Sequence, residues 1–231
     1  LAAEGDRFAV VASTPGDSAA FREMLGVLEG RGATAGFHVG DITREASDPN
    51  GCIKLAFGPN RHGILGNHDI LAVGHERVHE YSDPVLMHAE RTRASLDENS
   101  KVLLANAPAK IETNYFALVH ESVAPPYYAK RSKRRRRSHG WDVGSSSDEN
   151  TTAVCYSRID RPHFIGSDHA AFVIVAQPSL KVLRPAPGEF LTLPRSSVVS
   201  VPSIAYSRDE RYDCGAVLGE VLPGGGVKIE F

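Results

Sequence analysis

The chain has 231 residues, 42% hydrophobic and 23% charged, which predicts one globular domain able to bury its own core. A net charge of −2 excludes a global field that would recruit nucleic acid or membrane, and no apolar run nears the roughly 18 residues of a membrane span. Cys52, Cys155 and Cys214 are too few and too scattered for a disulfide framework or a zinc ribbon, so packed thiols in a cytoplasmic protein are expected.

The opening at Leu1 is read as a trimmed or processed start, and Leu-Ala-Ala-Glu-Gly-Asp lacks the makeup of a signal peptide. Phe8 to Ala12 is short, continuous and apolar, as a strand buried on both faces should be. Asp17 or Ser18 then caps a helix to about Leu28, with Phe21, Met24, Leu25 and Leu28 at helical spacing. Gly36 to Gly40 is the second strand, Asn50 to Phe57 a short helix, and Arg61 to Gly66 the third strand. Pro84 to Leu104 reads as helical, with a break near Glu98-Asn99-Ser100 and a stop at Ala107-Pro108. Lys110 to Thr113 and Tyr115 to His120 predict a hairpin around Asn114.

From Glu121 to Asn150 the periodic pattern is lost, and a long surface excursion is expected. A short helix near Thr151 to Arg158 and a strand from His163 to Gly166 follow. Ala171 to Ala176, Gly188 to Leu193, Ser196 to Val201, Asp213 to Leu222 and Val227 to Phe231 are β-type runs split by Pro and Gly. Alternating β and α followed by a mostly β third predicts a central β-sandwich with helices outside it.

Five short motifs fall at the ends of these apolar runs: Ser13-Thr14-Pro15, Gly40-Asp41, Gly66-Asn67-His68-Asp69, His120, and Gly166-Ser167-Asp168-His169. Carboxylate, amide and imidazole groups delivered at strand carboxyl ends suit a hard divalent ion and a phosphate. In this order the motifs resemble the calcineurin-like metallophosphoesterase superfamily, and the resemblance spans nearly the whole chain. Asp48-Pro49-Asn50-x-Cys52-Ile53 and Ser203-Ile204-Ala205-Tyr206-Ser207-Arg208-Asp209 are similar to stretches of its single-domain phosphodiesterase and protein-phosphatase-like members.

The resemblance implies a single domain over 1–231 with a four-layer α/β/β/α sandwich. It implies Asp41 as a carboxylate bridging two metals, Asn67 and His120 as ligands of one ion, and His169 as a ligand of the other. His68 would stabilise or protonate the leaving oxygen, with Asp69 orienting it. The chain departs from the family at Ser13 and Pro15, where the family has Asp and His, and at Ser167, where it has His. A hydroxyl is a weak substitute for those ligands and a prolyl ring is none. At most one manganese, iron, zinc or magnesium ion is therefore expected, or none.

Each motif also has an ordinary structural reading. Asp41 and Asn67-His68-Asp69 can serve only as turn and cap residues, His120 as a core imidazole, and Asp168-His169 as a surface pair. His38 is read as packing. His62, His75, His79, His88, His139 and His163 form no ligand pattern. Lys130 to Arg137 places seven cations on eight residues; Lys133, Arg134, Arg135, Arg136 and Arg137 are candidates for anion binding, and Tyr127 and Tyr128 for stacking.

Two functions follow as expectations. The chain is a phosphoesterase acting on a phosphomonoester, phosphodiester, phosphoprotein or nucleotide. Alternatively, it is a pseudoenzyme that reuses the fold for binding or regulation. No membrane partner is expected.

Overall fold

The computed structural model describes residues 2–14, 17–43, 47–74, 83–120, 163–167, 181–183, 190–192, 197–201, 204 and 215–230. Strand β1 (Arg7–Val11) is buried on both faces, which is why its sequence is continuously apolar. Phe8, Val10 and Ala12 point into one core cluster, and Ala9 and Val11 into another. The two-residue period of a strand thus divides one short segment between two cores.

Helix α1 (Ser18–Gly30) starts where Asp17 accepts the amides of Ala19 and Ala20 at 3.1 and 3.0 Å. It buries Phe21, Leu25 and Leu28, as its apolar spacing requires. Strand β2 (Ala35–His38) pairs parallel with β1, and β3 (Arg61–Gly63) parallel with β2. Between them lies α2 (Pro49–Ala56), capped by Asp48 at the Gly51 amide (2.9 Å), with Pro49 in its first turn.

The third strand is shorter than expected. Ile64 keeps one bond to His38, but Leu65 donates to Pro108 at 2.9 Å instead, and helix α3 (Asn67–Val73) begins at once. That helix is absent from the sequence reading, because only seven residues separate Gly66 from the left-handed Gly74 that stops it.

Helices α4 (Asp83–Ser95) and α5 (Glu98–Ala105) replace the broken helix, with the break at Leu96-Asp97. Asp97 caps α5 by accepting from Ser100 N at 2.7 Å, so Ser100 belongs inside the helix and the expected break falls too late. Strands β4 (Lys110–Glu112) and β5 (Ala117–Val119) form the expected hairpin, closed by Thr113, whose hydroxyl accepts the amides of Tyr115 and Phe116 at 3.1 and 3.0 Å.

The remaining strands are β6 (His163–Ser167), β7 (Lys181–Leu183), β8 (Phe190–Thr192), β9 (Ser197–Val201), β10 (Val217–Val221) and β11 (Val227–Glu230). One sheet runs β3-β2-β1-β10-β11-β8 and the other β4-β5-β6-β9-β7. Strand β7 was not among the expected runs. The expected excursion at 121–150, the helix at 151–158 and the run at 171–176 lie outside the described residues.

The two sheets close on Phe8, Val10, Phe37, Val39, Ile64, Ile111, Phe116, Leu118, Val201 and Ile229, so the expected face-to-face sandwich is present. Phe8 stacks on Phe116 at 4.6 Å between ring centres and meets Phe37 edge-on at 6.0 Å. The second cluster, including Phe21, Leu25, Ile53, Ile70 and Leu104, seals helices onto the outer face of the first sheet. Helices, sheet and sheet give three layers among the described residues.

Gly219 faces Phe8 across the β1–β10 ladder, where a Cβ would stand 2.2 Å from the ring. The glycine lets the ring cross its strand. Phe8→Ala should therefore cost about 3–5 kcal/mol, read from denaturant midpoints. A loss below about 1 kcal/mol would show that the ring does not hold the sheets together.

Candidate metal-binding site

The parallel strands β1, β2 and β3 run into the segments that carry the first three motifs. Three backbone turns meet there. Ser13, Gly40 and Asp41 have φ of +46°, +88° and +58°, and Ser13 N donates to Gly40 O at 3.1 Å. A left-handed aspartate costs roughly 1 kcal/mol or more and persists only where its surroundings fix it.

The surroundings are tight. A Cβ on Gly40 would lie 2.5 Å from His120 Nδ1 and 2.7 Å from Gly66 N. A Cβ on Gly66 would lie 2.2 Å from Asp41 N and 2.3 Å from Asp41 Oδ1. The two loops cross with their main chains in contact, and only glycine fits at the crossing.

Asp41, Asn67 and His120 are buried at this crossing. His120 Nε2 lies 3.3 Å from Asn67 Oδ1 and 3.4 Å from Asp41 Oδ1. On its other side Nδ1 lies 2.7 Å from Val39 O. A carbonyl only accepts, so Nδ1 carries the hydrogen and Nε2 is the nitrogen turned toward the two oxygens. A backbone carbonyl orienting an imidazole in this way is the usual support of a histidine ligand.

The spacing tests the fit to a metal ion. Ligands bound at about 2.1 Å with angles between octahedral and tetrahedral lie roughly 3.0–3.4 Å apart. The separations of 3.3 and 3.4 Å about His120 Nε2 fall at the wide end of that range. The described side chains give no fuller donor set than this vertex. No three His, Cys, Asp or Glu residues gather among them, and the vertex is one carboxylate, one imidazole and one amide oxygen.

Ser13 is buried on the adjoining turn, where its side chain can offer only a hydroxyl. Ser167 ends β6; Gly166 registers with Val119, so Ser167 follows at the edge where His120 follows β5. Pro15, His169 and the cluster Lys133, Arg134, Arg135, Arg136 and Arg137 lie outside the described residues. His68 stands half-buried in the first turn of α3, and its amide donates to Asp41 Oδ1 at 3.2 Å.

Asp69 was expected to orient His68, but its carboxylate is spent on other groups. It accepts from Ile42 N (3.2 Å), Thr43 N (2.8 Å), Thr43 Oγ1 (2.9 Å) and Gly66 N (2.9 Å). Burial, and then the charge of Asp41, push its pKa above the usual carboxylate range, against the pull of those donors. Thr43 was not among the expected site residues; its one signal in the sequence is its place two residues after Asp41.

His38 packs as expected, edge-on to Phe21 at 5.5 Å between ring centres, and it also touches the site's support. Its Nε2 meets Thr14 Oγ1 at 3.1 Å, Thr14 donates to Ile42 O at 3.4 Å, and Nδ1 has no hydrogen-bond partner among the described residues. Burial holds its pKa down to about 3; Asp41 pulls upward and His120 adds to the lowering. Cys52 is fully buried, and burial first, then the charge of Asp48, push its thiol up to about 12. It is a packing residue, as expected.

The parallel strands β1 to β3 thus bring the loops that follow them to one crossing, within a two-sheet sandwich covered by helices. The chain is similar in structure to a metallophosphoesterase from Sphaerobacter thermophilus, with a TM-score of 0.66 and 16% identity over 98% of this chain and 88% of that one. It is also similar to a hypothetical protein from Pyrococcus horikoshii OT3, with a TM-score of 0.52 and 15% identity over 71% and 69%. No protein-family model and no curated protein matches the chain. At these identities the likeness shows the fold, and the expected α/β class is borne out at that level.

Two expectations follow for stability. Gly66→Ala should open the crossing and lower the unfolding free energy by about 3 kcal/mol or more, read from the denaturant midpoint; a wild-type midpoint would refute the contact. His38 has a folded pKa below its unfolded value of 6.5, so its contribution is complete above pH 6.5 and is lost as pH falls toward about 3. His38→Gln should flatten the stability–pH curve in that window by up to about 1.4 kcal/mol per pH unit. An unaltered slope between pH 6.5 and 4.5 would remove His38 as its source.

Proposed function

We propose that the chain is a metallophosphoesterase-type hydrolase working with at most one divalent ion, held by Asp41, Asn67 and His120. The approach of two oxygens, Asn67 Oδ1 and Asp41 Oδ1, to the buried His120 Nε2 at 3.3 and 3.4 Å carries this reading. The donor set, mostly oxygen with a single −1 charge, suits manganese, magnesium, iron or zinc. A bound ion would act as a Lewis acid toward a phosphoryl oxygen.

The chain's own residues supply the rest. Asp41 and Asn67 present oxygens fixed by their turns, and His120 is held from behind by Val39. His68, on the half-exposed first turn of α3, is the group that would deliver a proton to the leaving oxygen. The substrate class is a phosphomonoester, phosphodiester or phosphoprotein. Lys133, Arg134, Arg135, Arg136 and Arg137 would add contacts to a polyanionic partner such as a nucleotide or nucleic acid. No helix among the described residues is long and apolar enough to cross a membrane.

The test pairs metal analysis with turnover of a generic aryl phosphodiester in added manganese. One equivalent of metal or less is expected, with activity reduced roughly 10²–10⁴-fold by His68→Ala and abolished by Asp41→Ala in folded protein. Two tightly held ions would contradict the single-ion reading. Neither metal nor turnover would leave the scaffold as a binding module.

A further inference from the structure

We propose that Asp69 is a positioning residue, a buried clip that sets both oxygen ligands of the vertex by fixing the backbone beside each. The inference rests on the single-ion reading above. Oδ2 accepts from Ile42 N and Gly66 N at 3.2 and 2.9 Å, and Oδ1 from Thr43 N and Thr43 Oγ1 at 2.8 and 2.9 Å.

Ile42 directly follows Asp41, and Gly66 directly precedes Asn67. Holding the amides at 42 and 43 fixes the chain leaving Asp41, the residue kept at φ +58°. Holding the Gly66 amide fixes the chain entering Asn67. Asp69 thereby ties the turn at Gly66 to a loop that lies 26 and 27 residues before Asp69 in sequence. Histidine needs no share of the clip, because Val39 O already fixes His120.

The residue type follows from the donors. All four groups facing Asp69 point hydrogens at it, so both of its oxygens must accept. Asparagine would turn an NH₂ toward amides that can only donate. Asp69 is fully buried beside Asp41, and a second carboxylate so close to the first is costly to desolvate. Four donors offset that cost, and the added negative potential favours a cation at the vertex.

The experiment uses the full chain and manganese alone, titrated by electron paramagnetic resonance. Asp69→Asn should weaken the manganese Kd roughly 10–100-fold and Thr43→Val about 3–10-fold. Asp97→Ala is the control for stability loss alone, because the Asp97 carboxylate accepts from Ser100 N and Lys54 Nζ at the cap of α5. It should lower stability and leave the Kd of the folded protein unchanged.

A second readout needs no metal. The ¹⁵N resonance of His120 Nε2, which faces Asp41, should move in Asp69→Asn and Thr43→Val but not in Asp97→Ala. Folded Asp69→Asn with wild-type affinity and an unmoved resonance would overturn the clip. Should Asp69→Asn fail to fold, Thr43→Val decides by the same criteria. Absence of manganese binding by the wild type would sink the single-ion reading alone, and the nitrogen resonance would then decide the clip.

Discussion

The site depends on the contact of two main chains. Gly40-Asp41 and Gly66-Asn67 approach so closely that neither glycine has room for a single further carbon. Every other feature of the vertex follows from this crossing. It brings Asp41 and Asn67 to one point although they lie on different loops, and it leaves space against Gly40 for the ring of His120. It also forces Asp41 into the left-handed region, where an aspartate stays only when its neighbours hold it.

The crossing is supported from two directions. Between the sheets, Phe8 stacked on Phe116, with Phe37 edge-on to both, sets the distance from β2 to β5, and so the reach of His120 toward Asp41. On the helical side, Asp69 and the pair Thr14–His38 tie polar groups into an otherwise apolar layer. Buried carboxylates and an imidazole depressed by burial are expensive in a core, and such expense concentrates where geometry matters more than stability.

Much of the fold was legible from local chemistry. Asp17 starts α1 by accepting backbone amides, as an aspartate ahead of apolar spacing should; Asp48 and Asp97 cap α2 and α5 in the same way, though neither was read as a cap. The continuous apolar run at Phe8 marked a strand covered on both faces. Reading failed where the deciding contact was distant. Helix α3 is too short for periodicity to show, and its start is fixed partly by the loop at Ile42 and Thr43. Strand β3 ends early because Leu65 finds Pro108 rather than a neighbouring strand.

The sequence by itself determined which chemical groups reach the strand ends: an aspartate after Gly40, Asn-His-Asp after Gly66, a histidine after β5, and Ser13 and Ser167 where a fuller ligand set would need other types. Residue type and strand order are local properties, so they survive without coordinates. Tertiary structure alone decided that Asp41, Asn67 and His120 share a vertex, and that Asp69 serves the loops. A side chain's partner is set by what packs against it, and for Asp69 that partner lies 26 and 27 residues away along the chain.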